Sequence, residues 1–312
     1  MKKHLFINDK TIYKANMHCH TTVSDGTHTP EAIKEMYKAR GYSIIAFTDH
    51  RLIKSHENLN DNGFLAINAC EVDINPAAMN TARPHVNPTY HLNLYATRPD
   101  MTDSPPLPTM DYYDSQAVNQ YIADRTKEGF LVCCNHPYWS LNTYAEYSKL
   151  KGCFAMEIYN HNCEVDDGCC GYAPQVYDDM LRLENKLFCF AADDNHNYGP
   201  SHLPDKDSFG GFININSSSL KYEDVITALI DGNFYASQGS EIYEISLEDS
   251  ALTVQCSPAQ SVRVYTQGRK CYEQTGNGLT KATFQLSGDE GYIRIVCRDK
   301  DHKVANSNAY WI

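Results

Sequence analysis

The 312-residue sequence predicts an α/β domain followed by a small all-β module. Three observations predict it. Short apolar runs alternate with helix-like segments over roughly the first 238 residues. After about Gly239 the texture changes to short alternating segments separated by turn residues. Histidines and carboxylates collect where the apolar runs of the first part end. Strands alternating with helices imply a mainly parallel sheet, closed or open.

Each element has its own signal. "YKANMHC" reads as a strand, and "TPEAIKEMYKARG" as a helix with Thr29 as N-cap, Pro30 in the first turn and Gly41 at the exit. "YSIIAFT", "FLAINACEV" and "YHLNLYA" read as successive strands. The helix "SQAVNQYIADRTKEG" leads to strand "FLVCCN", and strand "FAMEIYN" to helix "APQVYDDMLRLENK" and strand "LFCFAA". "GGFININ" and helix "YEDVITALIDGN" close the series. "MTDSPPLPTM" is a proline-rich loop inside this rhythm. "EISLEDSALTVQCS", "SVRVYTQG", "ATFQLSG" and "YIRIVCRD" predict an antiparallel sandwich, so residues 1–238 and 239–312 are expected to be separate domains.

Hydrophobic residues make up 42% of the chain, an ordinary globular share. No segment approaches membrane-helix length, and the start, "MKKHLFINDKTIY", lacks the apolar core of a signal peptide. A cytoplasmic protein is expected, its twelve cysteines reduced. These include the adjacent pairs Cys133-Cys134, in an apolar run, and Cys169-Cys170, near Cys163 in a loop. There is no CxxC pair. The net charge of −12 argues against extended binding to a nucleic-acid backbone. It leaves room for a phosphate ester, and divalent cations would offset gathered carboxylates.

The polar residues at the run ends are His18, His20 and Asp25; Asp49 and His50; Glu71; His91; His136; Glu157; then Asp193, Asp194 and His196. A chance HxH is expected about half the time at this histidine frequency, so His18-Cys19-His20 alone carries little. Placement carries more. In a parallel α/β barrel the carboxyl ends of the strands converge on one face. Imidazole and carboxylate together suit zinc, manganese or iron.

"HCHTTVSDG", "FTDH", "CEVDI", "YHLNLYA", "NHPYW" and "DDNH" resemble the successive motifs of the PHP (polymerase and histidinol phosphatase) superfamily, over roughly residues 14 to 238. The resemblance implies a distorted (β/α)7 barrel that binds two to three divalent metal ions and hydrolyses phosphate esters. It implies that His18, His20, Glu71 and Asp194 hold one metal. Glu71 would bridge to a second, with His91 and His136, and Asp25, His50 and His196 would hold the third. The family usually has a small residue where Asp193 stands. Asp193 and Asp194 are therefore alternatives for the last carboxylate, with the D-x-H spacing to His196 favouring Asp194.

The expected reaction is phosphoester hydrolysis of a small phosphorylated metabolite or nucleotide. A hydroxide bridging two metals would attack phosphorus, with Glu71, Asp194 and His196 as catalytic residues. Arg51, Lys54 and Arg83 are candidate phosphate cations. Asp49 either orients His50 or caps its turn. Glu157 either partners a site residue or forms a structural ion pair. His85 is a rival to His91, which the strand pattern favours, and His28, His161 and His202 read as structural. Tyr138 and Trp139 either line the pocket or pack its rim. Two other readings stand beside this one. Amidohydrolases also begin with HxH, but no lysine sits at a matching strand end. A non-catalytic, metal-stabilised binding domain would use the C-terminal module for docking. That module also offers a contact for a homo-oligomer.

Overall fold

The computed structural model describes residues 2–166, 168, 170–200 and 202–312; Cys169 lies outside them. The strands of the first part are β1 (Lys2–Ile7), β2 (Thr11–Asn16), β3 (Tyr42–Phe47), β4 (Leu65–Ile74), β5 (Tyr90–Ala96), β6 (Phe130–Cys134), β7 (Ala155–Asn160), β8 (Phe188–Ala192), β9 (Phe212–Ser217) and β10 (Phe234–Ser237). The helices are α1 (Pro30–Lys38), α2 (Ser115–Glu128), α3 (Tyr144–Tyr147), α4 (His161–Val165), α5 (Pro174–Arg182) and α6 (Tyr222–Ile230). α1 starts as its sequence signals: the Thr29 hydroxyl accepts from the Ala32 amide, Pro30 occupies the first turn, and Ile33 and Tyr37 are buried.

The α/β sheet runs β10-β9-β2-β3-β4-β5-β6-β7-β8. The expectation of a mainly parallel sheet needs correction. β2–β3, β3–β4, β6–β7 and β7–β8 are parallel, but β4–β5, β5–β6, β2–β9 and β9–β10 are antiparallel. A parallel pair needs a crossover, usually a helix. Residues 75–89 carry only a single 3-10 turn, so the chain comes back beside β4 as β5. The barrel is not closed by a ladder: among the described residues β8 pairs with β7 alone. Two backbone bonds beyond the strand ends, Asp194 N–H to His18 O (2.9 Å) and His20 N–H to Asn195 O (3.1 Å), bring the exits of β2 and β8 together. That curl places the functional side chains.

The all-β part consists of β11 (Ile242–Glu248), β12 (Ala251–Thr266), β13 (Cys271–Gln285), β14 (Tyr292–Arg298), β15 (Val304–Ser307) and β16 (Tyr310–Trp311). Its pairings are antiparallel, and β15 also pairs with β10, so its hydrogen bonding is continuous with the α/β sheet. The first residues, read only as lacking a signal core, form β1 and pair with β11. Phe6 packs with Ile242, Ile245, Val262 and Ile295 in a core separate from that of the α/β sheet. The described cysteines are free thiols, and no helix among the described residues is long and apolar enough to cross a membrane.

Candidate metal centre

His18 and His20 leave β2 with one residue between them and both are fully buried. His50 follows β3, Glu71 lies within β4, His91 opens β5, His136 follows β6, and Asp194 and His196 follow β8. Three of these exits are bent: Arg51 beside His50, His136 and Asp194 have φ of 65°, 22° and 57°, a region that non-glycine residues seldom occupy.

The side chains converge. His18 Nε2 and His20 Nε2 are 3.1 Å apart, and Asp194 Oδ1 lies 3.0 and 3.1 Å from them. Glu71 Oε1 is 3.4 Å from His18 Nε2, and Oε2 is 3.4 Å from His20 Nε2. Tetrahedral zinc with bonds near 2.0–2.1 Å has ligand atoms about 3.3 Å apart; the three separations among His18 Nε2, His20 Nε2 and Asp194 Oδ1 are near such edges, and a different Glu71 oxygen lies 3.4 Å from each histidine. Asp194 Oδ1 is buried yet makes no well-aligned hydrogen bond, despite its two close nitrogens. Three further groups adjoin this one: Glu71 with His91 and His136, His20 with Asp25, His50 and His196, and His18 with His136 and Glu157. Within each group the donor atoms lie within 4.8 Å of one another. All nine residues singled out as ligands in the sequence meet in this cluster.

Hydrogen bonds set which imidazole nitrogen faces inward. His18 Nδ1 is 2.7 Å from Glu157 Oε1, His136 Nδ1 is 3.0 Å from Ser140 Oγ, and His196 Nδ1 is 2.9 Å from the Asp194 carbonyl. In each case the outer nitrogen is engaged and Nε2 is presented to the cluster, the arrangement that orients a ligating histidine. The field inside is strongly mutual. Burial alone would depress His18 and His20. The Asp194, Glu157 and Glu71 carboxylates instead raise His18 well above its ordinary value, and Asp194 and Glu71 raise His20 to about 9. Burial likewise opposes ionisation of Glu71 and Asp194, but the surrounding imidazoles hold both well below the usual carboxylate range. This donor set suits a borderline divalent cation.

The neighbours divide clearly. Glu157 backs the cluster: besides His18 it accepts from His136 N–H (3.0 Å) and Asn160 Nδ2 (2.9 Å). Asp49 does not reach His50; it accepts from Thr21 N–H (2.8 Å), Ser24 N–H (3.2 Å) and both hydroxyls, tying down the loop that carries Asp25. Asp193 turns away from the cluster. It accepts from the amides of Phe209, Gly210 and Gly211 at 2.8 Å each and from Tyr37 Oη at 2.9 Å. Asp194 is the one that faces the histidines.

Sequence reasoning missed Asn135 and Asn160. Asn135 Nδ2 donates to Glu71 Oε1 (2.8 Å), and Asn160 Nδ2 donates to Asp194 Oδ2 (3.1 Å) as well as to Glu157. It also missed Asp207, which accepts from the backbone N–H of His196 (2.7 Å). The available signal was position: Asn135 and Asn160 are the first residue after β6 and the last residue of β7, at the same level as the ligands.

Residues 16–162 match the family model described as the PHP domain. That span is similar to a PHP domain. The matched span runs from His18 through His136 and leaves Asp194 and His196 outside it. The fold is similar, over 99% of this chain and 97% of the other, to a two-domain protein from Bacteroides vulgatus ATCC 8482 containing a predicted PHP-like metal-dependent phosphoesterase, at 16% identity and TM-score 0.51. A provisionally assigned metal-dependent phosphoesterase from Bifidobacterium adolescentis ATCC 15703 aligns with 60% of this chain and 89% of its own, at 13% identity and TM-score 0.38. No curated protein matches the chain.

The α/β part opens to solvent through a cleft of about 350 Å³ over the cluster, with Trp139, Asn162, Cys163, Asp166 and Tyr198 in its walls. Trp139 stands edge-on to His136 and His91, with ring centroids 4.9 and 5.6 Å away. Tyr138 is exposed beside it. Arg51, Lys54 and Arg83 do not line the cleft. Arg51 Nε is paired with Asp73 at 2.7 Å, and Lys54 and Arg83 are exposed. His85 sits in the exposed turn Pro84–Val86, away from His91.

Of the histidines read as structural, His28 pairs with Asp205 (2.9 Å), and His202 is exposed. His161 bonds Tyr159 Oη through Nδ1 at 2.8 Å, and burial, helped by Lys303, lowers its pKa to about 4. A histidine depressed below its unfolded value costs stability as pH falls, because only the unfolded chain takes up the proton. We expect His161→Phe to be less acid-sensitive than the wild type, by roughly 1–2 kcal/mol between pH 6.5 and 5. Urea midpoints at the two pH values check this; parallel losses in both proteins would contradict it.

Proposed function

We propose that the protein is a metal-dependent phosphoesterase acting on a small phosphorylated molecule. His18, His20, Glu71 and Asp194 would hold one divalent cation, Glu71, His91 and His136 a second, and Asp25, His50 and His196 a third. The observation that carries this is the cage itself: buried imidazole nitrogens and carboxylate oxygens 3.0–3.4 Å apart, among them Asp194 Oδ1, which has no well-aligned hydrogen bond. When bound, such cations act as Lewis acids and bring the pKa of a coordinated water toward neutrality. The chain's own part is positional. Glu157, Ser140 and the Asp194 carbonyl hold three imidazoles with Nε2 inward, while Asn135 and Asn160 orient the carboxylates. Trp139 and Tyr198 bound the opening.

No lysine is among the residues lining the cleft, which weighs against the amidohydrolase reading. We also propose a domain division near residue 239, with β1 returning to the C-terminal part.

Elemental analysis of freshly purified protein, followed by a screen of phosphate monoesters, diesters and amides, tests the reading. Two to three divalent ions per chain and turnover of a phosphoester are expected. Loaded protein that cleaves no phosphoester would overturn it. Glu157→Gln should weaken metal affinity about 10–100-fold, because His18 loses the charged acceptor that fixes its tautomer. Competition with a chromogenic chelator measures this, and an unchanged affinity would assign Glu157 a purely structural role.

A further inference from the structure

A second cavity, of about 320 Å³, lies between α5 and the all-β part and shares no residue with the cleft over the histidines. Its composition is unusual for a chain of net charge −12: Arg182, Arg263, Arg294 and Arg298 all line it. The geometry follows from strand pairing. β12 and β14 are antiparallel, with Ser261 opposite Arg298, Arg263 opposite Val296 and Tyr265 opposite Arg294. Residues two apart share a face, so these six side chains form one patch. Val262, Val264, Ile293, Ile295 and Cys297 fill the core behind it.

Arg294 is the buried member, at 1% exposure. Nε and Nη2 bind the Asp178 carboxylate of α5 at 2.6 and 2.7 Å, which leaves Nη1 a buried donor with no hydrogen-bond partner. Arg263 is paired with Glu273, and Arg182 with Asp179 at 3.5 Å. Arg298 has no carboxylate partner among the described residues. The opposite wall includes Pro174 and Gln175 from the first turn of α5, a nine-residue helix that no side chain caps. Unpaired amides at a helix start favour an anion, and guanidinium forks match phosphate and carboxylate oxygens.

We propose that this cavity is a second ligand site, for a small phosphorylated anion held by Arg294, Arg298 and Arg263 against the start of α5. A ligand there bridges the α/β part to the all-β part. The proposal does not depend on the hydrolase reading.

Inorganic phosphate and pyrophosphate titrated calorimetrically into the full-length protein test it, comparing wild type with R263S/R298S. Both substituted side chains are surface-accessible, so the fold is retained; circular dichroism verifies this. One saturable site beyond any at the histidine cluster is expected in the wild type; it weakens about tenfold or more in the variant and falls off with added salt. Binding at the histidine cluster is unaffected by these substitutions and serves as the internal reference. Equal stoichiometry and affinity in the two proteins, or no saturable site in the wild type beyond that reference, would overturn the proposal.

Discussion

Glu71→Gln is expected to lower phosphoester turnover on the order of 10³-fold, a loss comparable to removing a key electrostatic group at an active site. Both carboxylate oxygens are committed. Oε1 lies 3.0 Å from His91, 3.4 Å from His18 and 3.5 Å from His136, and Oε2 lies 3.2 Å from His50 and 3.4 Å from His20. Glutamine keeps the shape but removes the charge and turns an amide N–H₂ toward nitrogens that also need an acceptor or a cation. Metal content should fall with activity, while circular dichroism stays native. Near-wild-type turnover with a full metal complement would remove Glu71 from the centre of the scheme.

The largest stability effect is expected at Arg294. Its bidentate pair with Asp178 is buried on both sides, at 1% and 8% exposure. A buried pair need not be net stabilising, but removing one member leaves the other charge desolvated and unpaired, at a cost of about 3–5 kcal/mol. Arg294→Met should therefore lower the urea midpoint sharply. Asp178→Leu combined with Arg294→Met should recover much of the loss, since no orphan charge remains. The pair joins α5 to β14, so the single variant is also expected to loosen the all-β part first, detectable as faster amide exchange in β12 and β14. A single variant within about 1 kcal/mol of the wild type would show that water reaches the pair.

Much of the site was legible because its residue types are chemically narrow and its spacing follows strand ends. His18 and His20 sit two apart as they leave one strand, and Asp194 and His196 repeat the spacing. Asparagine carries no such signal. Asn135 and Asn160 orient carboxylates here, but the same residue caps turns everywhere, as Asn160 does for α4. Arg51, Lys54 and Arg83 show the converse: a position after a strand does not by itself face the site, and Asp73 or solvent holds these cations instead.

Strands β2 to β9, helices α1, α2, α5 and α6, the change of texture near Gly239 and the clustering of histidines and carboxylates were determined by the sequence alone, because period, capping and residue chemistry are local properties. Strand direction, the open edge at β8, the return of β1 to β11 and the choice of Asp194 over Asp193 were decided only by the tertiary structure. Each depends on which distant groups offer a partner. Asp193 faces inward or outward according to three amides sixteen to eighteen residues away, and no local pattern encodes them.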